Sequence, residues 1–146
     1  MLTRYSRFTY IISEISKNLH KVSHGEMQRF GLHGSYAKYV LSLYRSGAMT
    51  AAQLAELCDR NKADVSRAIA VLESEGMVEK LDTPTHYRVK IELTERGREL
   101  GDALTERLRL VLERVSGDIP RERLIEFYET LETISDNLNR LSDEGL

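Results

Sequence analysis

Apolar residues repeat at helical spacing through nearly all of this 146-residue chain and switch to the two-residue period of a strand in one short stretch, residues 77–93. That single switch of period restricts the chain to a mainly helical fold carrying one small hairpin. Before the switch, Tyr5, Phe8, Ile11, Ile12, Ile15, Leu19 and Val22 form one helical stripe, and a break is expected at Ser23 to Gly25. Tyr36, Tyr39, Val40, Leu43 and Tyr44 predict a second helix that stops at Gly47. Thr50 with Gln53 three residues later is a capping-box pattern, opening a short third helix through Leu54, Ala55, Leu57 and Cys58. After the polar run Asp59, Arg60, Asn61, a fourth helix with Val65, Ala68, Ile69 and Leu72 inward runs to about Gly76.

The switched stretch reads as the hairpin. Met77, Val78 and Leu81 precede the turn formers Asp82, Thr83 and Pro84, and Tyr87, Val89, Ile91 and Leu93 then alternate with Arg88, Lys90 and Glu92. Pro84 cannot donate to a ladder and belongs in the turn or at an edge. Helical spacing returns with Leu100, Leu104, Leu108, Val111, Leu112 and Val115, ending at Gly117. Pro120 then opens a last helix striped by Leu124, Phe127, Tyr128, Leu131, Ile134, Leu138 and Leu141. The expected architecture is a single domain over residues 1–146: a winged helix-turn-helix with a two-stranded β-wing at about 32–97, flanked by helices at about 1–24 and 98–146. Apolar stripes on the flanking helices need a partner surface, which a second copy of the chain supplies most cheaply.

The overall charge of -2 conceals a division along the chain. Residues 1–50 carry seven Lys/Arg against two Glu, whereas residues 118–146 carry three Arg against eight acids. An acidic segment cannot be a phosphate-binding surface, so any DNA contact falls to the first part or middle of the fold. One cysteine, Cys58, excludes an intramolecular disulfide framework and fits a reducing compartment. No apolar run approaches the roughly 18 residues of a membrane span, and no signal-peptide pattern opens the chain. A cytoplasmic protein with no membrane partner and no cofactor is expected. An enzyme is not: no nucleophile-base set, phosphate loop or carboxylate pair stands out, and Cys58 falls at a packing position.

Two short helices joined by a tight polar turn and followed by a hairpin point to double-stranded DNA as partner. With Val65 and Ile69 turned inward, Asn61, Lys62, Ala63, Asp64, Ser66 and Arg67 remain near the N-terminal end of the second helix of the pair, the end that meets base edges. Arg67 can take a guanine edge bidentately or clamp a phosphate. Arg60, Lys62 and the helix N-terminus suit phosphates.

In order and spacing, Gly31-Leu32, Thr50 with Leu54-Ala55, Val65-Ser66-Arg67, Leu72-Glu73 with Gly76-Met77-Val78, and Leu93-Thr94 with Gly97 make the chain resemble the MarR family, the multiple-antibiotic-resistance-type regulators, over residues 5–141. The resemblance implies a homodimer joined by the flanking helices. It also implies palindromic promoter DNA as target, usually repression, and release by a small-molecule effector or an oxidant. The wing departs from the family pattern: Tyr87 stands where the family usually has the Arg that enters the minor groove, with His86 before it and Arg88 after. Arg88, or Lys80 or Lys90, is expected to supply that charge, Arg88 and Lys90 sharing the charged face of the strand.

Other residues admit two readings. Phe30, Tyr36, Tyr39 and Tyr44 line an effector pocket or form core. His20 and His24, four apart and near His33, Glu26 and Glu14, form a metal site or a solvated helix end; no metal ligand is assigned. Cys58 senses redox state or packs as a small hydrophobe. With six Lys/Arg against five acids in residues 60–90, a winged-helix interaction module without DNA remains the rival.

Overall fold

The computed structural model describes residues 3–81 and 88–145. Among these the order is α1 (Arg4–Arg29), a 3-10 turn (Gly34–Tyr36), α2 (Ala37–Ser46), β1 (Met49–Thr50), α3 (Ala51–Leu57), α4 (Lys62–Ser74), β2 (Val78–Lys80), β3 (Lys90–Leu93), α5 (Glu95–Ser116) and α6 (Arg121–Glu144). The chain divides into two compact units, residues 1–110 and 111–146.

The first unit is built on one core. Leu54 of α3, Val65 and Leu72 of α4, Val40 of α2, Met77 and Val78, and Leu100 and Leu104 of α5 are all buried, joined by Met27 near the end of α1. Leu57, expected to pack, is exposed. The inward stripes are those the 3.6-residue period marks out, so the helix-turn-helix is held by apolar burial on one side and leaves its other side to solvent.

Helix ends are set by local chemistry. Thr50 Oγ1 accepts from the Gln53 N–H at 3.2 Å while Gln53 Oε1 accepts from the Thr50 N–H at 2.9 Å, the reciprocal box expected from the sequence. Removing it in Thr50→Ala is expected to lower stability by about 1 kcal/mol, read as a reduced urea midpoint at unchanged slope. α4 ends in a Schellman motif: Gly76, at φ +73°, donates to Glu73 O, and Met77 donates to Leu72 O. The apolar pair Leu72–Met77, both fully buried, closes the motif.

Three features depart from the periodicity. α1 does not break at Ser23 to Gly25 but runs unbroken to Arg29. A glycine inside a helix costs about 1 kcal/mol, less than is recovered by carrying Met27 into the core. The wing hairpin β2–β3 is joined by a third strand, giving an antiparallel sheet of order β1-β3-β2 with Met49 opposite Ile91 and Val78 opposite Leu93. Two residues are too short to show a period, so β1 exists only through its pairing. Finally, Arg88 has φ +57° and precedes β3, so the alternation begins at Lys90 and does not place Arg88 and Lys90 on one strand face.

In the second unit, α6 follows Pro120 and buries none of its side chains. Phe127, Tyr128, Leu138 and Leu141 are exposed along it, the same residues the helical stripe predicts to be covered.

Candidate nucleic-acid interface

The turn between α3 and α4 fixes how α4 is presented. Cys58 caps α3, Asp59 adopts φ +49°, Arg60 N–H reaches back to Ala55 O at 2.9 Å and Asp59 N–H to Glu56 O. This is again a Schellman closure, with aspartate at the left-handed position where its short polar side chain is tolerated. Asn61 then caps α4, its Oδ1 accepting from the Asp64 N–H at 2.8 Å. The chain therefore turns in four residues, and the N-terminal turn of α4 projects with Asn61, Lys62, Ala63, Ser66 and Arg67 exposed.

The outer face of α4 is small and polar. Ala63, Ser66, Ala70 and Ser74 lie along it between the charged groups, so nothing bulky stops the helix from approaching a groove floor. Ala70 and Ser74 were not among the expected contacts, although four-residue spacing from Ser66 is the signal that finds them. Arg67 lies largely in solvent and donates through Nη2 to Asp64 on the preceding turn. Asp64 thus holds the guanidinium over the exposed turn, leaving further N–H groups of the fork for a ligand.

The wing side contributes separately. Lys80 lies 4.0 Å from Glu73 of α4 and lines a cleft with Ser66, Ala70 and Ser74. Arg88 and Lys62, distant in sequence, line a second cleft with Thr50 and Gln53. Lys90 is exposed opposite Thr50. His86, with Pro84 and Tyr87, lies outside the described residues.

The four aromatics are not brought into one pocket. Tyr39 is core, and burial first of all pushes its phenol pKa up. Phe30 packs against the core, whereas Tyr36 and Tyr39 line a cleft of 270 Å³ with Arg60, Asp64 and Arg67. Tyr44 faces elsewhere and hydrogen-bonds through its hydroxyl to Asp102, a contact that raises its pKa.

His20 and His24 share a cleft, but His24 Nδ1 is occupied by the Gly34 N–H at 3.1 Å, and Glu26 is paired with Arg29 and Arg107. No three His, Cys, Asp or Glu side chains gather as metal ligands among the described residues. Cys58 is half-buried with its Sγ 3.5 Å from Ser42 Oγ.

Two short helices at a capped four-residue turn, the second exposing a small polar face, with a β-hairpin immediately after it, define a winged helix-turn-helix module. Residues 30–88 match the model of the MarR family. Most of the chain matches solved regulators of that name in fold. With a MarR transcriptional regulator from Methanosarcina mazei Go1 it shares 18% identity at a TM-score of 0.84, covering 96% of this chain and 94% of that one. The crystal structure of MarR gives 18% and 0.81, covering 93% of both chains. A MarR-family regulator from Listeria monocytogenes, solved in complex with a 26-mer DNA, gives 18% and 0.77 over 89% of this chain and 87% of that one. No curated protein matches the chain in sequence. Residues 30–88 are thus similar to the MarR family, and the chain has the winged-helix fold of these solved regulators.

Proposed function

We propose that this chain is a sequence-specific DNA-binding regulator of transcription, acting in the cytoplasm as a homodimeric repressor on palindromic promoter DNA and released by a small-molecule effector. The observation that carries the DNA reading is the outer face of α4: an exposed, capped N-terminal turn with Lys62 and Arg67 flanking small side chains, beside a wing carrying Lys80 and Arg88. A complex of the similarly folded Listeria protein with DNA supports it. No helix of the described residues is long and apolar enough to cross a membrane.

Each unit separately supports the homodimer. In the first, Phe8, Ile11, Ile12 and Ile15 line α1 in the open; in the second, Phe127, Leu138 and Leu141 do so on α6. Solvent-exposed series of this kind mark association surfaces, and a closed two-fold dimer buries the same patch from both copies. Two recognition helices related by such an axis read half-sites about 10 base pairs apart.

Selection of bound sequences from random duplex DNA tests the reading. Enrichment of a palindrome with that spacing, with affinity falling steeply as salt rises, is the expected result. Failure to enrich any sequence, with weak binding indifferent to salt, would leave a winged-helix interaction module in its place. The dimer is checked by light scattering: the wild type is expected at twice the chain mass, and Ile11→Glu with Ile15→Glu is expected to shift it toward the monomer.

A further inference from the structure

A cleft of 500 Å³ opens where α1 meets the N-terminal end of α2. His20, Lys21 and His24 reach it from α1, Lys38 from α2 and Arg60 from the helix-turn-helix turn, and no carboxylate lines it. Three cations, Lys21, Lys38 and Arg60, and two imidazoles thus meet at one place from three elements, spread over forty residues of sequence. The neighbouring cleft of 270 Å³ shares Ser35, Lys38 and Arg60 with it and adds Asp64 and Arg67 of α4. Through those shared residues a cationic groove leads from the recognition helix to α1.

The charges in this groove are poorly balanced within the chain. Among the described residues Lys21, Lys38 and Arg60 are in no ion pair, so the carboxylates of the chain leave the three groove cations to solvent or a ligand. Lys38 is half-buried, and burial followed by the nearby charge of Arg60 lowers its pKa, against smaller opposing effects of Cys58 and Asp64. Crowding like charges beyond what Asp64 offsets is costly, and an external anion relieves it. His24 adds a donor of fixed tautomer: Nδ1 accepts from the Gly34 N–H, leaving Nε2 to donate.

We propose that this groove binds the phosphodiester backbone of DNA flanking the bases met by α4, with Lys21, Lys38 and Arg60 as phosphate contacts and His20 and His24 beside them. The inference rests on the DNA-binding reading above and extends its footprint. Continuity with Arg67 selects a DNA phosphate over a free anion, because the groove begins at the helix that meets the bases.

The test measures affinity against salt for the selected operator, in a short duplex and in one lengthened by flanking pairs, using wild type, Arg67→Ala, the double variant Lys21→Ala with Lys38→Ala, and the double arginine replacement. Two lost phosphate contacts are expected to flatten the log-log salt slope by about 2, so that the affinity lost between 50 and 200 mM salt shrinks roughly tenfold. The alanine pair should weaken operator and scrambled duplex alike and lose the gain from lengthening, and the arginine pair should restore both. An unchanged slope and length dependence in an alanine pair that still melts as wild type, while Arg67→Ala weakens binding, overturns this inference and spares the DNA reading. No binding by the wild type at any salt overturns both. Stabilisation of the wild type by inorganic phosphate at matched ionic strength, with no slope change in the variant, assigns the groove to free anions and also overturns it.

Discussion

Arg67→Ala is expected to weaken operator binding by roughly 5- to 150-fold, the 1–3 kcal/mol that one well-placed bidentate base contact contributes. Arg67 is largely exposed, one turn into α4, and held there by Asp64, so its loss disturbs no core contact. The melting temperature should therefore stay within a degree or two of wild type while affinity falls. Arg67→Lys is expected to restore little, because an ammonium lacks the planar fork that matches a guanine edge or a phosphate. Competition with duplexes substituted at each half-site position separates the two roles. Relaxed discrimination at one position makes Arg67 a base reader; a uniform loss with a salt slope smaller by about 1 makes it a phosphate clamp. Unchanged affinity in a folded variant would remove Arg67 from the interface.

The parts of the fold visible in the sequence are those whose cause is local. The capping box at Thr50, the stop at Gly47 and the end of α4 at Gly76 each depend on residues within a turn, and each stands where its pattern puts it. β1 and the continuation of α1 through Gly25 depend on contacts made far along the chain, with Ile91 and with the core around Met27, and no local pattern reports them. The interface divides in the same way. The outward set Asn61, Lys62, Ala63, Ser66 and Arg67 follows from which α4 positions are apolar, so periodicity alone exposes it. The cleft of Lys62 with Arg88, and the groove of Lys21 with Lys38 and Arg60, join side chains that only tertiary packing brings near. Stripes on α1 and α6 were legible as apolar, but periodicity is equally satisfied by cover from the same chain or from a second one.

Two glycine-to-alanine changes inside helices are expected to move stability in opposite directions, and the larger of the two tests how the winged module is held together. Gly97 lies in the first turn of α5, where a Cβ would sit 1.9 Å from the Met77 carbonyl oxygen, a backbone atom that cannot swing aside. That same carbonyl accepts from the Thr94 N–H at 3.0 Å, while Thr94 Oγ1 donates to Gly76 O and accepts from the Gly97 N–H at 3.1 Å. Gly97 therefore permits α5 to start against the end of α4, and its methyl would separate the two and strip this cap. Overpacking of this kind costs about 1–3 kcal/mol and each lost hydrogen bond about 1 more, so Gly97→Ala is expected to cost about 4 kcal/mol. With a urea slope of about 1–3 kcal/mol per molar, the midpoint should fall by more than 1 M. Gly25, in the interior of α1, has open space where the Cβ would go, and Gly25→Ala is expected to gain about 0.5–1 kcal/mol from helix propensity. Both must be measured at one protein concentration, since dimerisation would add its own contribution to apparent stability. If Gly97→Ala unfolds at the wild-type midpoint, α5 is not seated on the α4–β2 junction as the Met77 and Thr94 contacts require, and the rigid link between the recognition helix and α5 is lost with it.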